Sequence, residues 1–221
     1  MLPSNISKKF MPGDNNLYTD EALYSVTQTE QSQWLATLIH ILVPKLNWIV
    51  DANASVGGNT WSFSKHAKKV TAIELQKKHY DMLIHNMKSY NNIEFLNMNC
   101  VEFLMNMKNI PDVVFLDPPW GGINYKDQKT VKLGYSYESK DVPLNTVIRY
   151  CNKVQLVVLK LPRNYDIQSL EEVKRQISVV DVKDNNNKIL YKIVFISDIK
   201  LPRIEVPKFE RISYREYLGK K

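Results

Sequence analysis

Short apolar runs alternate along the chain with segments whose apolar residues recur at helical spacing. The runs NWIVDA, VTAIEL, IEFLN, DVVFLD and VQLVVLKL predict five strands, at residues 47–52, 70–75, 93–97, 112–117 and 154–161. Residues 31–43 and 77–90 carry the helical pattern and predict two helices. Strands that alternate with helices predict right-handed βαβ units and a parallel sheet with both faces covered.

The pattern changes near the C-terminus. QISVVDV and KILYKIVFIS, residues 176–182 and 188–197, are strand-like runs on either side of the asparagine-rich sequence KDNNN. They predict an antiparallel hairpin. The whole pattern predicts an α/β fold of the Rossmann-like class I methyltransferase type, with a seven-stranded, mostly parallel sheet and a terminal antiparallel hairpin. Ligands of such sheets bind outside the carboxyl ends of the strands.

The pattern divides the chain into three parts. Residues 1–45 are predicted to be an N-terminal segment and helix that contribute to the substrate site, residues 46–198 the methyltransferase core, and residues 199–221 a basic tail.

The net charge of +7 suits a polyanionic partner such as nucleic acid, or serves solubility alone. There is no apolar run of membrane-spanning length, and the two cysteines and four histidines show no metal-ligand spacing. We therefore expect an intracellular protein without a metal or a membrane partner.

A glycine-containing loop, DANASVGGNTW, follows the first predicted strand. Gly57 and Gly58 allow a backbone to approach a ligand closely, and Glu74, which ends the second strand, is suited to hold a ribose through its hydroxyls. Together they favour an adenosyl cofactor over an ordinary loop with a surface acid. The dinucleotide fingerprint G-x-G-x-x-G is absent, with Ser55 where its first glycine would stand, so S-adenosyl-L-methionine is favoured over NAD.

Asn99 is a candidate partner of the adenine amine or an ordinary polar loop residue. The predicted cofactor-binding residues are Asp51, Ser55, Gly57, Gly58, Asn59, Glu74, Asn99, Cys100 and Asp117.

The fourth predicted strand ends in FLDPPWGG, residues 115–122. The two prolines fix φ and lack N–H donors, so the segment is able to aim the Pro118 carbonyl at a planar amine. Asp117 and that carbonyl would each accept one hydrogen bond from an exocyclic NH2, which helps the nitrogen attack a sulfonium methyl in line. Trp120 offers a face on which a base stacks. D-P-P-W indicates amino-group methylation, rather than a structural turn, without choosing adenine or guanine, and Asp117, Pro118 and Trp120 are the predicted catalytic residues.

Five ordered motifs within roughly residues 20–198 resemble the trimethylguanosine synthases, class I methyltransferases that methylate the exocyclic N2 of 7-methylguanosine RNA caps. YSVT (24–27) is similar to the family segment S-V-T-P-E, and VDANASVGGNT (50–60) to V-D-A-F-C-G-V-G-G-N-T. FLDPPWGGINY (115–125) resembles F-L-S-P-P-W-G-G-P-x-Y, while LPRN (161–164) and NNK (186–188) complete the set.

The resemblance implies that Trp120 stacks on 7-methylguanine and that Asp117 contacts the amine. It places Thr27 near the methionine end of the cofactor or near the base. It implies that the cap phosphates are contacted by Tyr125, Arg163 and Lys188, for which the alternatives are a core tyrosine, a helix-start arginine and a turn lysine. N7 methylation makes guanine cationic, and a cationic ring on a tryptophan face gains roughly 2 kcal/mol or more when desolvated. One tryptophan is thus able to require prior N7 methylation.

The chain departs from the family pattern at three positions: Ser55 replaces a glycine, Asn99 replaces the usual acid, and Asp117 stands where many members have serine. The resemblance also implies a lysine upstream of the core, for which Lys8 and Lys9 are the candidates, although neither is fixed by an adjoining motif. The expected function is methylation of N2 in the 7-methylguanosine cap of RNA, giving di- or trimethylguanosine caps. Its cofactor would be S-adenosyl-L-methionine and its partner capped RNA, bound by a monomer in the nucleus of a cell, or in the host cytoplasm if the source is a large DNA virus.

Three other functions remain open at this point. An adenine-N6 methyltransferase also uses D-P-P-W, although an enzyme acting on duplex DNA needs extra surface to flip its base. A ribosomal RNA guanine-N2 methyltransferase is closer chemically, and only the resemblance of YSVT and LPRN argues against it. A non-catalytic cap-binding protein would keep Trp120 and the basic residues but lose the cofactor site, and Ser55 and Asn99 are its only support.

Overall fold

The computed structural model describes residues 11–12 and 15–210. The predicted contribution of Lys8 or Lys9 falls outside the described residues, as does the part of the predicted basic tail beyond residue 210.

An eight-stranded sheet forms the centre of the fold, and a separate two-stranded sheet is attached to it. The strands are β1 (Trp48–Asp51), β2 (Lys69–Ile73), β3 (Ile93–Leu96), β4 (Val113–Leu116), β5 (Gly134–Tyr137), β6 (Lys140–Pro143), β7 (Leu156–Pro162), β8 (Gln176–Asp184), β9 (Ile189–Ser197) and β10 (Lys208–Phe209). The order in the main sheet is β10-β8-β9-β7-β4-β1-β2-β3, while β5 and β6 pair only with each other.

The strand directions confirm the predicted α/β fold. Strands β1 to β4 and β7 are parallel to one another, and β9 is antiparallel to both of its neighbours, β7 and β8. The sheet has eight strands rather than the predicted seven because β10 pairs with the end of β8. A strand of two residues is too short to produce an alternating pattern that sequence inspection would detect.

Six α-helices and two short 3-10 helices connect the strands in the described part of the chain. They are α1 (Asp20–Ser25), α2 (Thr29–Leu42), α3 (Gly58–Phe63), α4 (Lys77–Met87), α5 (Cys100–Met105) and α6 (Leu144–Tyr150), with 3-10 turns at Gly122–Asp127 and Ile167–Leu170. Helix α1 lies in the N-terminal segment, before the predicted helix at residues 31–43. It forms because the Thr19 hydroxyl accepts a hydrogen bond from the Ala22 N–H, which satisfies a free donor of the first turn.

Apolar side chains cover both faces of the main sheet. On one face, α2 contributes Leu35 and Ile39, which pack with residues such as Phe115. On the other face, α5 and α6 pack over the alternate residues of the same strands, including Val114. A parallel sheet that is buried on both sides needs nearly continuous apolar strands, which is why the strands were recognisable from the sequence.

The first part of the predicted tail is packed on the core. Leu201, Ile204 and Val206 lie against the apolar layer that α2 covers, and Phe209 is buried within it. Residues up to 210 are therefore a structured covering of the β8 side of the sheet. No helix of the described residues has the length and apolar character needed to cross a membrane.

Candidate active site

Three acidic residues come together at the carboxyl edge of the parallel strands. Asp51 ends β1, Glu74 follows β2, and Asp117 follows β4. Because β1 lies between β2 and β4, these strands bring the three carboxyl groups to one place. Burial is the main cause that raises the pKa of Asp51, and the negative charges of Asp117 and Glu74 raise this pKa further, which reflects this closeness.

Asp51 is completely buried. Its Oδ2 accepts a 2.6 Å hydrogen bond from Thr60 Oγ1, while its buried Oδ1 has no hydrogen-bond partner among the described residues. Burial raises the pKa of Asp51 to about 7, against the opposing effects of the Thr60 hydrogen bond and of the Asn53 backbone N–H, whose contact with the carboxyl group is too poor in geometry to count as a hydrogen bond. A buried acceptor without a donor is costly, so this oxygen is suited to a ligand that brings a donor or a positive charge.

The loop between β1 and α3 is shaped by two residues with positive φ. Gly57 has a φ of 105° and Ser55 a φ of 49°, and glycine adopts such values at the lowest cost. The Ser55 N–H donates to Glu74 Oε2 at 2.9 Å, and the Gln76 N–H donates to Oε1 at 2.7 Å. Glu74 thereby ties the loop to the end of β2, and each of its oxygens keeps a lone pair for a ligand.

The segment before α2 is packed tightly on this loop. A Cβ placed on Gly58 would lie 2.6 Å from Val26 Cγ2 and 3.3 Å from the carbonyl oxygen of Thr27. The Thr27 hydroxyl accepts a hydrogen bond of 3.1 Å from Asn59 Nδ2, and both side chains are buried. The structure therefore brings Thr27, predicted near the methionine end or the base, to the predicted cofactor residues Gly58 and Asn59.

Asn99 and Cys100 lie at the start of α5. Asn99 caps this helix, because its Oδ1 accepts the Val101 N–H at 2.9 Å, and its Nδ2 donates to the Ser136 carbonyl at 2.8 Å. Cys100 is buried, and burial raises the pKa of its thiol to about 12, so the thiol is not a nucleophile. The side chain of Asn99 has structural partners, and an adenine contact by either residue stays a prediction.

The β5–β6 hairpin covers the same edge and was not predicted. The Tyr135 hydroxyl on β5 donates to Asn53 Oδ1 at 2.9 Å, and Asn53 Nδ2 makes a weak contact of 3.9 Å with Cys100 Sγ. The turn of the hairpin holds Glu138 and Ser139 at positive φ. It therefore lacks the glycine or asparagine by which such a turn is normally recognised.

A buried lysine, which sequence reasoning missed, pairs with Asp117. Lys160 Nζ lies 2.8 Å from Asp117 Oδ2, and the two side chains are 5% and 18% exposed. Burial raises the pKa of Asp117, while the charge of Lys160 and its hydrogen bond oppose this rise. The available signal was the single charged residue in the otherwise apolar run VVLKLP.

Trp120 lies partly buried between the two apolar layers. Its ring meets the edge of Tyr125 at a centroid distance of 5.2 Å and an interplanar angle of 83°. The Trp120 side chain contributes to lowering the pKa of Asp117, although its buried Nε1 makes no hydrogen bond of good geometry within the described chain. Tyr125 is 7% exposed and supports the Trp120 ring, which is the role of the core-tyrosine alternative.

The remaining predicted substrate residues lie at the same end of the sheet. Arg163 is exposed directly after β7, and Lys188 is exposed in the turn between β8 and β9. Strand β9 pairs its Tyr191 with Pro162 at the end of β7, so the turn and Arg163 share the carboxyl edge. Arg163 begins a turn rather than the helix considered as its alternative. Phosphate contacts by these residues stay predictions.

This arrangement offers acceptors, an aromatic face and exposed cations around one edge. Pro118 is buried and Pro119 exposed, so the proline pair follows β4 directly into the site. No group of three or more histidine, cysteine, aspartate or glutamate side chains in the described ranges is placed to hold a metal ion. The edge is thus suited to polar recognition of a base and of a cationic ligand.

The sequence was compared with known proteins and structures. Residues 46–197, most of the chain, match the family model of RNA cap guanine-N2 methyltransferases. An uncharacterised protein of Acanthamoeba polyphaga mimivirus is 39% identical over 121 residues, 53% of this chain and 47% of that protein. A trimethylguanosine synthase of Schizosaccharomyces pombe is 26% identical over 167 residues, 71% of this chain and 67% of that enzyme.

A solved structure shares the fold across nearly the whole chain. A protein from Porphyromonas gingivalis, described as a candidate methyltransferase, superposes with a TM-score of 0.62 and 14% identity over 92% of this chain and 52% of its own. Identity this low supports the fold only. The chain spans about half the length of the mimivirus relative. By the match over residues 46–197, the chain belongs to the RNA cap guanine-N2 methyltransferase family.

Proposed function

We propose that this chain transfers a methyl group from S-adenosyl-L-methionine to the exocyclic N2 of 7-methylguanosine in capped RNA. The observation that carries the proposal is the Asp117–Trp120 segment. This segment follows β4 at the edge of the sheet where the three acids meet. Lys160 holds the carboxylate of Asp117, and the indole ring of Trp120 is partly buried. Family membership supports guanine N2 over adenine N6 as the accepting nitrogen.

The donor groups of the edge fit the proposed cofactor. Asp51 Oδ1 is a buried oxygen that lacks a donor in the described chain, and Glu74 keeps acceptor capacity on both oxygens. Gly57 adopts a φ of 105° beside them, which lets the loop backbone approach a ligand. Asp51 would hold the cationic part of the cofactor and Glu74 its ribose hydroxyls. When bound, S-adenosyl-L-methionine supplies a methyl group made electrophilic by its positively charged sulfur.

The chain would act mainly by orienting the amine. Asp117 Oδ1 and the Pro118 carbonyl would accept the two amine hydrogens and direct the nitrogen lone pair toward the methyl carbon. As the new N–C bond forms, the bond between the methyl carbon and sulfur would break and leave its electron pair on a neutral sulfur. The nitrogen would then shed one proton, for which the Asp117 carboxylate is the acceptor that the site offers. Positioning of this kind supplies much of the acceleration in group transfer.

Trp120 would select the methylated cap. The ring of 7-methylguanine is cationic and unmethylated guanine is not, so stacking on the indole face favours the former by roughly 2 kcal/mol when the face is desolvated. Tyr125 holds the Trp120 ring edge-on at 5.2 Å and fixes its plane. Arg163 and Lys188, both exposed at this edge, would hold the cap phosphates through charge-assisted hydrogen bonds.

The number of methyl groups added is part of the proposal. Transfer of one methyl gives a dimethylguanosine cap, and transfer of a second gives a trimethylguanosine cap. Curated relatives from two yeasts are named trimethylguanosine synthases, which supports two successive transfers in this chain. The second transfer requires exchange of the spent cofactor and room for a monomethylated amine beside Asp117.

Product mapping tests the proposal directly. The protein would be incubated with methyl-labelled cofactor and four substrates: RNA with a 7-methylguanosine cap, RNA with an unmethylated cap, ribosomal RNA and DNA. We expect label only in the first, recovered after digestion as N2-methylated 7-methylguanosine. Label in N6-methyladenine or in ribosomal guanine would replace the proposal with one of its alternatives. Cap binding without any transfer would indicate a non-catalytic cap-binding protein.

A further inference from the structure

A lysine side chain is buried within the main sheet. Lys160 lies on β7, all of whose seven residues are buried, and it is 4% exposed. Removing an ammonium group from water is costly unless it is paired and hydrogen-bonded. The position of Lys160 therefore requires specific partners, and the structure shows which they are.

The partners of Lys160 belong to the candidate site. Leu116 of β4 and Leu159 of β7 are the last registered pair of these parallel strands, so Asp117 and Lys160 are the next residues on each. Lys160 Nζ lies 2.8 Å from Asp117 Oδ2 and donates a longer hydrogen bond of 3.4 Å to the Ser25 carbonyl.

Two aromatic rings complete the environment of this ammonium group. Lys160 Nζ lies 5.4 Å from the ring centroid of Trp120 and 5.4 Å from that of Tyr191. Both rings stabilise a cation through their faces. Lys160 therefore lies beside the predicted amine acceptor, the predicted stacking residue and the end of α1.

The charges of the groups around Asp117 show why the carboxylate form of Asp117 depends on Lys160. The titratable groups close enough to feel the charge of Asp117 are Asp51 on β1, Tyr135 on β5 and Tyr191 on β9. Asp51 adds negative charge, and the two tyrosines have pKa values raised above their ordinary range, mainly by burial, so they stay neutral. From α2, Gln31 reaches this layer as an uncharged partner of the Tyr191 hydroxyl. Among these described groups, the only positive charge is that of Lys160.

We propose that Lys160 is a positioning residue for methyl transfer: it keeps Asp117 in the carboxylate form and occupies Oδ2, so that Oδ1 is presented to the amine. This inference rests on the function proposed above. Asp117 follows a strand that is buried in the core, and without a cation beside it the carboxyl group would take up a proton and become a donor. A protonated Asp117 cannot accept both an amine hydrogen bond and the proton that the amine releases.

The pair itself adds no net charge to the site. Asp117 and Lys160 cancel, so a cationic base that stacks on Trp120 meets no uncompensated ammonium at 5.4 Å from the same ring. An ammonium alone would repel that base, and a carboxylate alone would be protonated. The two residues therefore form one functional unit.

The test compares the pH dependence of methyl transfer in Lys160→Met and Lys160→Arg. We expect Lys160→Met to lose at least about tenfold in kcat at pH 7, with the acidic limb of the profile displaced upward by about one pH unit or more and activity recovered as pH rises. Lys160→Arg keeps the positive charge, so the acidic limb of its pH–rate profile should lie at the same pH as in the wild type. If Lys160→Met does not fold, Lys160→Gln removes the charge while keeping a donor, and the same displacement is expected of it.

Lys192→Met is the matched control. Lys192 pairs with Asp181 at 2.7 Å and is also largely buried, but its neighbours Tyr191 and Ile193 face the layer of Lys160, so its own side chain lies on the opposite face of the sheet. Its removal should lower the melting temperature without moving the pH profile. A Lys160→Met enzyme with the wild-type acidic limb, however slow, would overturn the proposal, because a merely structural lysine would lower the rate equally at all pH values.

A second measurement separates this inference from the proposed function. Carbon-13 NMR of labelled aspartate side chains reports the ionisation of Asp117 without any substrate. We expect Asp117 to be ionised at pH 7 in the wild type and protonated in Lys160→Met, whether or not capped RNA is methylated. Asp117 ionised in both proteins would refute the role of Lys160, whereas a wild type that methylates no cap would refute the proposed function alone.

Discussion

Thr60 Oγ1 donates a 2.6 Å hydrogen bond to Asp51 Oδ2, while the other oxygen of this completely buried carboxyl group has no donor within the described chain. The fold thus supplies a hydrogen bond to Oδ2 of Asp51 and leaves Oδ1 able to accept a hydrogen bond from a ligand. The consequence is a conflict between stability and binding that can be measured.

Replacement of Asp51 by asparagine should stabilise the cofactor-free protein at neutral pH. The pKa of Asp51 is raised from 3.8 to about 7, so folding favours the protonated form. The stabilisation that the buried carboxyl group of Asp51 contributes to the folded state is fully present below its ordinary pKa of 3.8. This stabilisation is lost as pH rises through about 7. Asp51→Asn removes this loss, worth up to about 4 kcal/mol for a group buried completely. Urea unfolding at pH 5 and pH 8 should show a smaller decline in the free energy of unfolding for Asp51→Asn than for the wild type. Equal declines would contradict the assignment.

Glu74→Ala should weaken cofactor binding by about 1.5–3 kcal/mol, roughly 10- to 150-fold in Kd. The loss has two sources, the contact to the ribose and the anchoring of the Ser55 and Gln76 N–H groups. Calorimetry with S-adenosyl-L-methionine measures it. Glu94→Ala is the control, because Glu94 is a half-exposed acid on the adjacent β3 that pairs with Lys69. Unchanged affinity in Glu74→Ala would remove this residue from the cofactor site.

Trp120→Phe should reduce the preference for 7-methylguanosine over guanosine caps while leaving cofactor affinity intact. A phenyl ring attracts a cation less strongly than an indole, so partial activity should remain, and Trp120→Ala should lose most of it. Because Trp120 also packs against both apolar layers, melting temperatures are needed for each variant. Trp34→Phe is the control, since Trp34 is a partly buried tryptophan that packs on Phe209. A Trp120→Ala protein that melts normally and still prefers methylated caps would eliminate the stacking role.

Arg163→Ala should raise the KM for capped RNA without changing cofactor affinity. Loss of one charge-assisted phosphate contact should also lower the slope of log affinity against log salt by roughly 0.7. Arg149→Ala is the matched control, because Arg149 is an exposed arginine on α6 that pairs with Glu172. If both variants show the same salt dependence as the wild type, Arg163 makes no phosphate contact.

The parallel strands were predictable because a strand that is buried on both faces has a nearly continuous run of apolar residues. Short runs rich in β-branched residues, such as DVVFLD and VQLVVLKL, are typical of such strands. The acids at the ends of three of the strands marked the edge where Asp51, Glu74 and Asp117 meet. The terminal hairpin was predictable for a similar reason, since the asparagine-rich turn KDNNN accommodates Asn187 at a φ of 64°.

The features that were missed depend on pairing rather than on pattern. The β5–β6 turn uses Glu138 and Ser139 at positive φ, against their intrinsic preference, because Tyr135 and its hydrogen bond to Asn53 hold the hairpin in place. Lys160 looks like an exposed charge until its neighbour across the sheet is known to be Asp117. Sequence order alone does not show which residues of distant strands become neighbours.

The two borders of the main sheet are protected from other chains in different ways. Strand β3 has only four residues, while β8 has nine and ends in a bulge at Val182 and Lys183. An open strand of that length offers backbone groups to any extended peptide and invites aggregation. Residues 200–206 lie along part of β8, and β10 pairs with its last two residues. Residues 200–209 therefore cover part of the open edge of β8, where unpaired backbone groups would otherwise be available to another chain.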